Sequence, residues 1–288
     1  MPNIYLRPTG GFPPLGTGWL PGRNPLTRVR NTLAGMGVTR VMNSCVPALD
    51  EIAARLEVPA IHEVFDLFDR CDRVLVMTSP LFDFVPAVLP RNVRYTGPQL
   101  EDPAWAFSEG ESADWRLTGE APLVLVAMSS VFQDQLEVLC RAARALGTLP
   151  VRGVITTGRA VDPVAVPSPR NVRVVRAVPH ARILAEAAVV VTHAGHGTVI
   201  KALAAGVPLV CLPQGRDQRD NAARVQRLGA GIRLGKRASS AAIAGAVRRV
   251  LNDDQFRATA ATFASQLVVE SANTPTAADE AESLLNIT

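Results

Sequence analysis

The chain has 288 residues and 48% hydrophobic content, enough to bury a substantial core in two domains or in one large one. The formal net charge is only +4, and the arginines are spread along the chain without interleaved aromatic residues, which argues against nucleic-acid binding. No apolar run approaches the ~18–20 residues of a membrane span, and the amino terminus lacks the apolar segment of a signal peptide. We therefore expect a cytoplasmic protein, either free or peripheral at the inner face of the membrane.

The four cysteines, Cys45, Cys71, Cys140 and Cys211, show no paired spacing of the kind that binds a metal. Three of the four lie in apolar segments of the sequence. We expect buried, reduced thiols, which suits a cytosolic compartment.

The first part of the chain predicts only a fragment of a domain. Proline and glycine are frequent at the start, and helices are expected at residues 26–35 and 48–56. Clear strand patterns occur only at residues 73–77 and 93–95. Two strands do not make a Rossmann-type sheet on which apolar helix faces can pack. Residues 1–105 should therefore expose an unusual apolar patch.

From residue 121 onward, short apolar strands alternate regularly with helices. A proline-containing linker is predicted near residues 97–121. The alternation indicates a parallel sheet with helices on both faces, and hence an α/β domain over residues 106–288. The expected strands are residues 122–127, 151–156, 171–176, 188–192, 207–212 and 231–234, and the expected helices are residues 133–146, 181–187, 198–205, 218–228, 239–251, 254–270 and 277–285.

The most informative motif of this domain is a glycine-rich turn between a predicted strand and a helix. Residues 192–198 have the sequence Thr-His-Ala-Gly-His-Gly-Thr. Backbone N–H groups at a helix amino terminus and the helix dipole both favour an anion, which Gly195 and Gly197 would let approach closely. His193 and Thr198 could add side-chain donors, although histidines also occur in ordinary loops. No Gly-x-Gly-x-x-Gly follows the first strand of the domain, so a dinucleotide-dependent dehydrogenase is not expected.

A polar loop follows the next predicted strand, with the sequence Pro-Gln-Gly-Arg-Asp-Gln-Arg-Asp-Asn at residues 213–221. Asp217 and Gln218 therefore follow the carboxyl end of a parallel strand, the side on which open α/β sheets bind ligands. A carboxylate beside an amide suits the recognition of a polyhydroxyl group. The alternative for Asp217 is a helix N-cap or an acidic residue in the first turn of a helix.

These two motifs resemble the carboxyl-terminal half of family 1 nucleotide-sugar-dependent glycosyltransferases of the GT-B fold, in the branch that acts on macrolides, glycopeptides, sterols and lipids. The resemblance extends from about Asp66 to the end of the chain, and several spaced motifs occur in order. They are TSPLFD at residues 78–83, YTGP at 95–98, SS at 129–130, TTG at 156–158, VPH at 178–180, HAGHGT at 193–198 and QGRDQ at 214–218 with Asn221.

The resemblance implies a GT-B protein with a complete Rossmann-like donor domain and a partial amino-terminal acceptor domain. It implies a UDP- or dTDP-hexose as the donor and a hydroxyl group of a lipid, sterol or natural product as the acceptor. Transfer would invert the configuration at the sugar. It would need neither a cofactor nor a metal, because preorganised donors stabilise the departing diphosphate. No carboxylate cluster in the sequence suggests a metal site.

The residues of the donor site follow from the same resemblance. The N–H groups of Gly197 and Thr198 would hold the β-phosphate, and His193 would contact a phosphate. The uracil or thymine ring would meet the backbone of Val178 or His180. The remaining assignments are Ser129 and Ser130 for the diphosphate or the nearby acceptor, with a simple turn as the alternative, Gly195 for the anion loop, Asp217 and Gln218 for the sugar hydroxyls, and Thr157, Gly158, Arg216 and Asn221 as supporting residues.

One departure from the family pattern concerns catalysis. Family members carry a histidine in a glycine-rich loop after their first strand, where it deprotonates the acceptor hydroxyl. The histidines of this chain are His62, His180, His193 and His196, and none lies in such a loop, so we assign no catalytic residue.

The early part of the family pattern is absent from this chain, which leaves three hypotheses. The chain is a truncated and inactive donor-binding fragment, or half of a split transferase whose protein partner covers residues 1–105, or a non-catalytic nucleotide-sugar-binding or scaffold subunit. A lipid-intermediate N-acetylglucosaminyltransferase, which shares the fold, is a further alternative.

Overall fold

The structure is a computed structural model that describes residues 7, 11–102, 104, 115–128 and 134–285. The chain divides into two compact units. Residues 1–98 together with 269–288 form unit 1, and residues 99–268 form unit 2. The expected division into residues 1–105 and 106–288 stays a prediction. Ser129 and Ser130 lie outside the described residues.

The order of helices and strands follows the sequence prediction, except that a short helix at Asp66–Asp69 was not expected and the first helix ends at Met42 rather than at residue 35. In chain order the helices are α1 Pro25–Met42, α2 Val46–Arg55, α3 Asp66–Asp69, α4 Leu136–Gly147, α5 His180–Leu184, α6 His196–Ala204, α7 Gln218–Leu228, α8 Ser240–Asn252, α9 Asp254–Asn273 and α10 Ala277–Leu285. The strands are β1 Val74–Val76, β2 Val93–Tyr95, β3 Leu123–Ala127, β4 Arg152–Thr156, β5 Val172–Val175, β6 Ala187–Thr192, β7 Leu209–Cys211 and β8 Gly231–Arg233. Within these described ranges, no helix is long and apolar enough to cross a bilayer.

Helix α1 of unit 1 is well capped but thinly covered. Asn24 accepts the Thr27 N–H and Thr27 accepts the Asn24 N–H, which is a capping box. The only buried residues of this helix are Asn31 and Gly35. Most of its large apolar side chains are exposed, namely Leu26, Val29, Leu33, Met36 and Val41. Local signals rather than the burial of an apolar face therefore define this helix.

The sheet of unit 1 has two parallel strands, in which Val74 pairs with Val93 and Val76 with Tyr95. The core cluster on this sheet is small, with three buried valines packed against Phe68, Leu89 and Tyr95. Other described residues of the unit also expose large apolar side chains, namely Leu15, Leu20, Ile52, Leu56, Val58, Leu67, Leu81 and Val88. Many individual apolar side chains of this unit are therefore exposed, and their union into the expected apolar patch in residues 1–105 stays a prediction.

Unit 2 is built around a six-stranded parallel sheet with the order β5-β4-β3-β6-β7-β8. Every residue of β3 is buried, as expected for a strand that is covered on both faces. The strand order reverses between β3 and β6, where Ala127 pairs with Thr192. Ligands of open α/β sheets bind beyond the carboxyl ends of the strands at such a reversal. The glycine-rich turn starts at this point, since it follows Thr192.

Helices α4 and α8 pack against each other and against the strands of this sheet. Leu139 and Leu146 of α4, with Ile243 and Val247 of α8, are fully buried in one apolar cluster with residues of β3 and β6. Each such side chain contributes about 1.5–3 kcal/mol by leaving water. The predicted parallel sheet covered by helices is confirmed.

The cysteines correct one expectation. Cys211 on β7 is buried and Cys140 on α4 is half-buried, but Cys45 and Cys71 are exposed. The expectation of three buried thiols was wrong, because Cys45 and Cys71 belong to unit 1, where apolar neighbours in sequence do not form a deep core. All four thiols are free.

Candidate functional site

The glycine-rich turn connects β6 to helix α6. The helix begins at His196, two residues earlier than expected, with Gly195 at its N-cap and no side chain capping it. Within the helix, the N–H groups of Gly197 and Thr198 have no acceptor, because first-turn donors have no preceding carbonyl. A Cβ added to Gly197 would meet no atom within 4 Å. The turn therefore offers the backbone donors and the open space that an anion needs.

Ala194 gives this turn its shape. Its φ angle is +67°, a left-handed conformation that is uncommon for a residue with a Cβ. Its N–H donates to Thr192 Oγ1 at 3.3 Å, and its carbonyl accepts Asn221 Nδ2 at 3.0 Å. These bonds hold a backbone conformation that costs on the order of 1–3 kcal/mol. The sharp turn allows α6 to start directly after Gly195.

Asn221, which is fully buried on α7, joins the glycine-rich turn to the polar loop. Besides the Ala194 carbonyl, its Nδ2 group binds Asp217 Oδ2 at 2.9 Å. Asp217 occupies the N-cap position of α7, but its side chain makes no capping bond. The carboxylate is held by Asn221 instead. Two motifs that the sequence placed in one site thus meet at a single amide group.

Gln218 shapes the polar loop from within. Its Oε1 atom accepts the N–H groups of Gln214 at 2.8 Å and of Gly215 at 3.1 Å, and the residue is only 2% exposed. The neighbouring Arg216 is exposed and has a φ angle of +54°. Gln218 therefore uses its Oε1 atom to shape the loop, whereas Asp217 offers a carboxylate.

The ring of His193 folds over Gly195. A Cβ at position 195 would lie 2.4 Å from His193 Nε2, so any larger residue would force the ring to move. Burial lowers the pKa of His193 to about 4, although a hydrogen bond with the Ala127 backbone and the charge of Asp217 oppose the shift. His193 is therefore neutral at neutral pH. A phosphate at this point would meet a polar imidazole rather than a fixed cation.

The segment expected to contact the pyrimidine ring of the nucleotide follows β5. Val178 is buried, and His180 is the first residue of α5. The next N–H, that of Ala181, donates to Asp102 Oδ2 at 3.0 Å, and Asp102 Oδ1 accepts Lys201 Nζ at 2.6 Å. Burial lowers the pKa of His180, and the charge of Asp102 opposes this shift. The start of α5 is thus tied to helix α6 through one carboxylate.

Asp102 and Lys201 were not predicted from the sequence. They lie 99 positions apart, so no local periodicity relates them. The available signal was composition, because Lys201 is one of two lysines in a chain that otherwise uses arginine.

The supporting residues Thr157 and Gly158 lie at the end of β4. Their N–H groups donate to the carbonyls of Val175 and Arg176, and Gly158 has a φ angle of +68°. They therefore support the end of β5, from which the expected base-binding segment continues.

One group of carboxylates with metal-ligand spacing occurs among the described residues, and it belongs to unit 1. Glu63, Asp66 and Asp69 offer oxygen atoms within 4.8 Å of one another. Arg7 pairs with Glu63 and with Asp69, and the Asp66 carboxylate accepts the His62 N–H. These protein partners account for the cluster as a set of surface ion pairs, and we assign it no metal.

Known proteins match both the sequence and the fold. A family model described as erythromycin biosynthesis protein CIII-like, C-terminal domain, matches residues 144–287. The chain is 34% identical over 282 residues to 4′-demethylrebeccamycin synthase of Lentzea aerocolonigenes, and the match covers 94% of this chain and 64% of that protein.

Two solved glycosyltransferase structures are similar to the chain. The calicheamicin glycosyltransferase CalG4 superposes with a TM-score of 0.66 at 28% identity, covering 83% of this chain and 58% of that one. The glycosyltransferase of kitacinnamycin gives a TM-score of 0.70 at 25% identity, covering 84% and 64%. The chain spans less than two thirds of the length of each of these three relatives. It belongs to the family of erythromycin biosynthesis protein CIII-like carboxyl-terminal domains, within the family 1 nucleotide-sugar glycosyltransferases of the GT-B fold.

Proposed function

We propose that this chain binds the UDP- or dTDP-hexose donor of a family 1 glycosyl transfer. The observation that carries the proposal is the Asn221 bridge. It joins the backbone turn suited to a diphosphate to the carboxylate suited to a sugar, at the reversal point of the parallel sheet. A diphosphate sugar requires this combination of adjacent anion and hydroxyl recognition.

Each part of the donor has a matching group. The N–H groups of Gly197 and Thr198 and the α6 dipole bind the β-phosphate, and neutral His193 contacts a phosphate. Asp217 binds sugar hydroxyls. The remaining proposed contacts are Val178 and His180 for the pyrimidine, Gln218 for the sugar, Ser129 and Ser130 for the diphosphate or acceptor, and Thr157, Gly158, Gly195, Arg216 and Asn221 for the shape of the site.

The reaction is an inverting transfer to a hydroxyl group. The acceptor oxygen attacks the anomeric carbon from the face opposite the diphosphate, the bond from that carbon to the diphosphate breaks, and the hydroxyl proton passes to a base. Backbone donors fixed on the leaving diphosphate stabilise its growing charge without a metal. The names of the relatives favour a natural product as the acceptor, with a lipid as the alternative.

No residue of this chain is assigned as the general base that deprotonates the acceptor hydroxyl. His62 is exposed on a loop of unit 1, whereas burial lowers the pKa of His180 and of His193 in unit 2 and makes each a weaker base. We assign none of them to the acceptor. Because a general base contributes roughly 10²–10⁴-fold, we expect this chain alone to bind the donor but to transfer sugar slowly or not at all. The four free thiols suit a cytoplasmic location.

Calorimetric titration with UDP and dTDP tests the donor site. We expect dissociation constants in the micromolar to submillimolar range that do not change when EDTA is added. Asp217→Asn should weaken the binding of the sugar nucleotide more than the binding of the free nucleotide, because the lost charge faces the sugar. Failure to bind either nucleotide at millimolar concentration would falsify the proposal.

A protein partner that covers residues 1–105 is a second proposal, and the exposed apolar side chains of α1 favour it. The part of 4′-demethylrebeccamycin synthase that lies outside the alignment provides a concrete probe. Co-expression should yield a complex in which the α1 amides exchange more slowly with deuterium than in the chain alone. If the two polypeptides purify separately and α1 exchange does not change, the split arrangement is wrong. Donor binding is unaffected by that result.

A further inference from the structure

Asp102 uses both of its carboxylate oxygens in bonds to other elements of unit 2. Oδ1 accepts Lys201 Nζ at 2.6 Å, and Oδ2 accepts the Ala181 N–H at 3.0 Å. Lys201 Nζ also donates to the Glu101 carbonyl at 2.7 Å. The side chains of Lys201 and Asp102 are only 11% and 3% exposed. This is therefore a buried network with fixed geometry rather than a surface ion pair.

The two elements joined by Asp102 border opposite ends of the proposed donor. Ala181 follows the segment Val178–His180, which we assign to the pyrimidine base. Lys201 lies on α6, and the amino terminus of this helix carries the diphosphate-binding turn. Helices α5 and α6 also contact each other. One carboxylate thus connects the base end of the site to the phosphate end.

We infer that Asp102 and Lys201 are positioning residues that fix the spacing between the base-binding segment and the diphosphate-binding turn, and thereby give the site its preference for pyrimidine nucleoside diphosphates. The inference rests on the proposed donor site. Asp102, which precedes β3 in the sequence, would thus help to select the nucleotide. Neither Asp102 nor Lys201 is expected to contact the nucleotide directly.

The charges of the pair support this role. Burial raises the pKa of Asp102, but the hydrogen bonds from Lys201 and from the Ala181 N–H outweigh burial and hold the pKa below its usual range. The carboxylate is therefore ionised where it accepts the Lys201 hydrogen bond. Removal of either partner leaves a buried charge unpaired, which disturbs the structure around it. The base-binding segment is the part that Asp102 holds through a single N–H, so we expect it to shift first.

The test compares four variants with the wild-type chain. Asp102→Asn keeps an oxygen for the Ala181 N–H but leaves Lys201 unpaired, and Lys201→Met leaves Asp102 unpaired. The double variant D102N/K201M contains no unpaired charge. Glu137→Gln is the control, because it breaks the Glu137–Arg141 pair on α4, which packs against α8 in the same unit. Melting temperatures and circular dichroism identify the variants that fold.

The readout is the ratio of dissociation constants for ADP and dTDP, measured beside the affinity for pyrophosphate. We expect each single variant to lose about tenfold in dTDP affinity, with changes of less than about twofold for ADP and pyrophosphate, so that the ratio falls. The control should retain the wild-type ratio. If a single variant does not fold, the double variant provides the test. Its ratio of dissociation constants should also fall, because the Asp102–Lys201 ion pair is lost.

Three outcomes overturn the inference alone: a wild-type chain that binds dTDP no better than ADP, folded variants with the wild-type ratio, or an equal loss of affinity for all three ligands. The last outcome would indicate a merely structural role. A wild-type chain that binds neither dTDP nor UDP overturns the proposed function itself, and the inference with it.

Discussion

Units 1 and 2 contain the same kinds of element but cover them very differently. Leu139 on α4 of unit 2 is fully buried, whereas Leu33 on α1 of unit 1 is 63% exposed. The two units also differ in their sheets, which have six strands in unit 2 and two in unit 1. Strands lie about 4.8 Å apart and a helix is about 10 Å wide, so a pair of strands offers a surface for roughly one helix.

The difference shows that the apolar face of a helix is buried only where the fold provides a surface for it to pack on. In unit 2 the sheet is wide enough for α4 and α8 to lie side by side on it. In unit 1 most of the α1 surface stays uncovered, although the cap of this helix is well formed. The four predictions below test how far this contrast extends, from the largest expected effect to the smallest.

Thiol reactivity should differ most strongly. Burial raises the pKa of Cys211 to about 12, against an ordinary value of 9.0, so its thiolate fraction falls about a thousandfold. Cys45 and Cys71 are exposed. We expect iodoacetamide to label Cys45 and Cys71 within minutes and Cys211 only after unfolding, as measured by peptide mass spectrometry. Labelling of native Cys211 at the rate of Cys45 would contradict the close packing of β7.

Leucine-to-alanine substitutions should have the next largest effect, and they should destabilise unit 2 more than unit 1. Leu139→Ala in the core of unit 2 should lower the free energy of unfolding by about 2–5 kcal/mol, because it removes contacts and leaves a cavity. Leu33→Ala on α1 should change it by less than about 0.5 kcal/mol, as surface substitutions do. Urea unfolding combined with hydrogen exchange resolved along the chain provides the measurement. Equal effects of the two substitutions would show that α1 is covered in solution.

The pH dependence of stability should reveal the buried His193. Its pKa is about 4 in the folded state and 6.5 in the unfolded state, so the unfolded chain takes up the proton first as the pH falls. This difference should remove about 3 kcal/mol of stability between pH 6.5 and pH 4, with no further loss below that range. His193→Gln should reduce the slope of stability against pH in this window.

His62→Gln is the matched control for that experiment, because His62 is exposed in unit 1. It should retain the wild-type slope. A His193→Gln profile that coincides with the wild-type profile would contradict the burial of the ring over Gly195.

Helix caps should give the smallest effect and sharpen the contrast. Asn24→Ala removes the cap of α1, and Ser239→Ala removes the Ser239 Oγ bond that caps α8. Each should cost about 1 kcal/mol. Faster deuterium exchange should stay within α1 for Asn24→Ala but extend along the sheet for Ser239→Ala, because α8 contacts β6 and β7. The reverse pattern would mean that α1 is the better-integrated helix.

The sequence predicted the helices and strands of unit 2 well because their signals are local. Strand β6, the glycine-rich turn and the polar loop are each defined by neighbouring residues. The start of α6 was predicted two residues late, since a left-handed alanine at position 194 has no sequence signature. The two glycosyltransferase motifs were expected to share a site, but the Asn221 amide that joins them was visible only in three dimensions.

Other features depended on distant partners and were missed. The pairing of Asp102 with Lys201 crosses 99 positions and leaves no periodic pattern. The exposure of Cys45 depends on what covers unit 1 rather than on its apolar neighbours in sequence. Sequence reasoning was therefore most successful where one element carries both the signal and the contact.

The position of β3 at the centre of its sheet has a consequence for biosynthesis. Its two neighbours are β4 and β6, so each edge of β3 pairs with a strand that the ribosome makes later. The backbone hydrogen bonds on both edges of Leu123–Ala127 can form only after Thr192 has left the ribosome. Such non-local parallel pairing is slow, and an unpaired apolar strand is prone to aggregate. Yield in recombinant expression should therefore depend on translation speed and chaperone supply across residues 123–192.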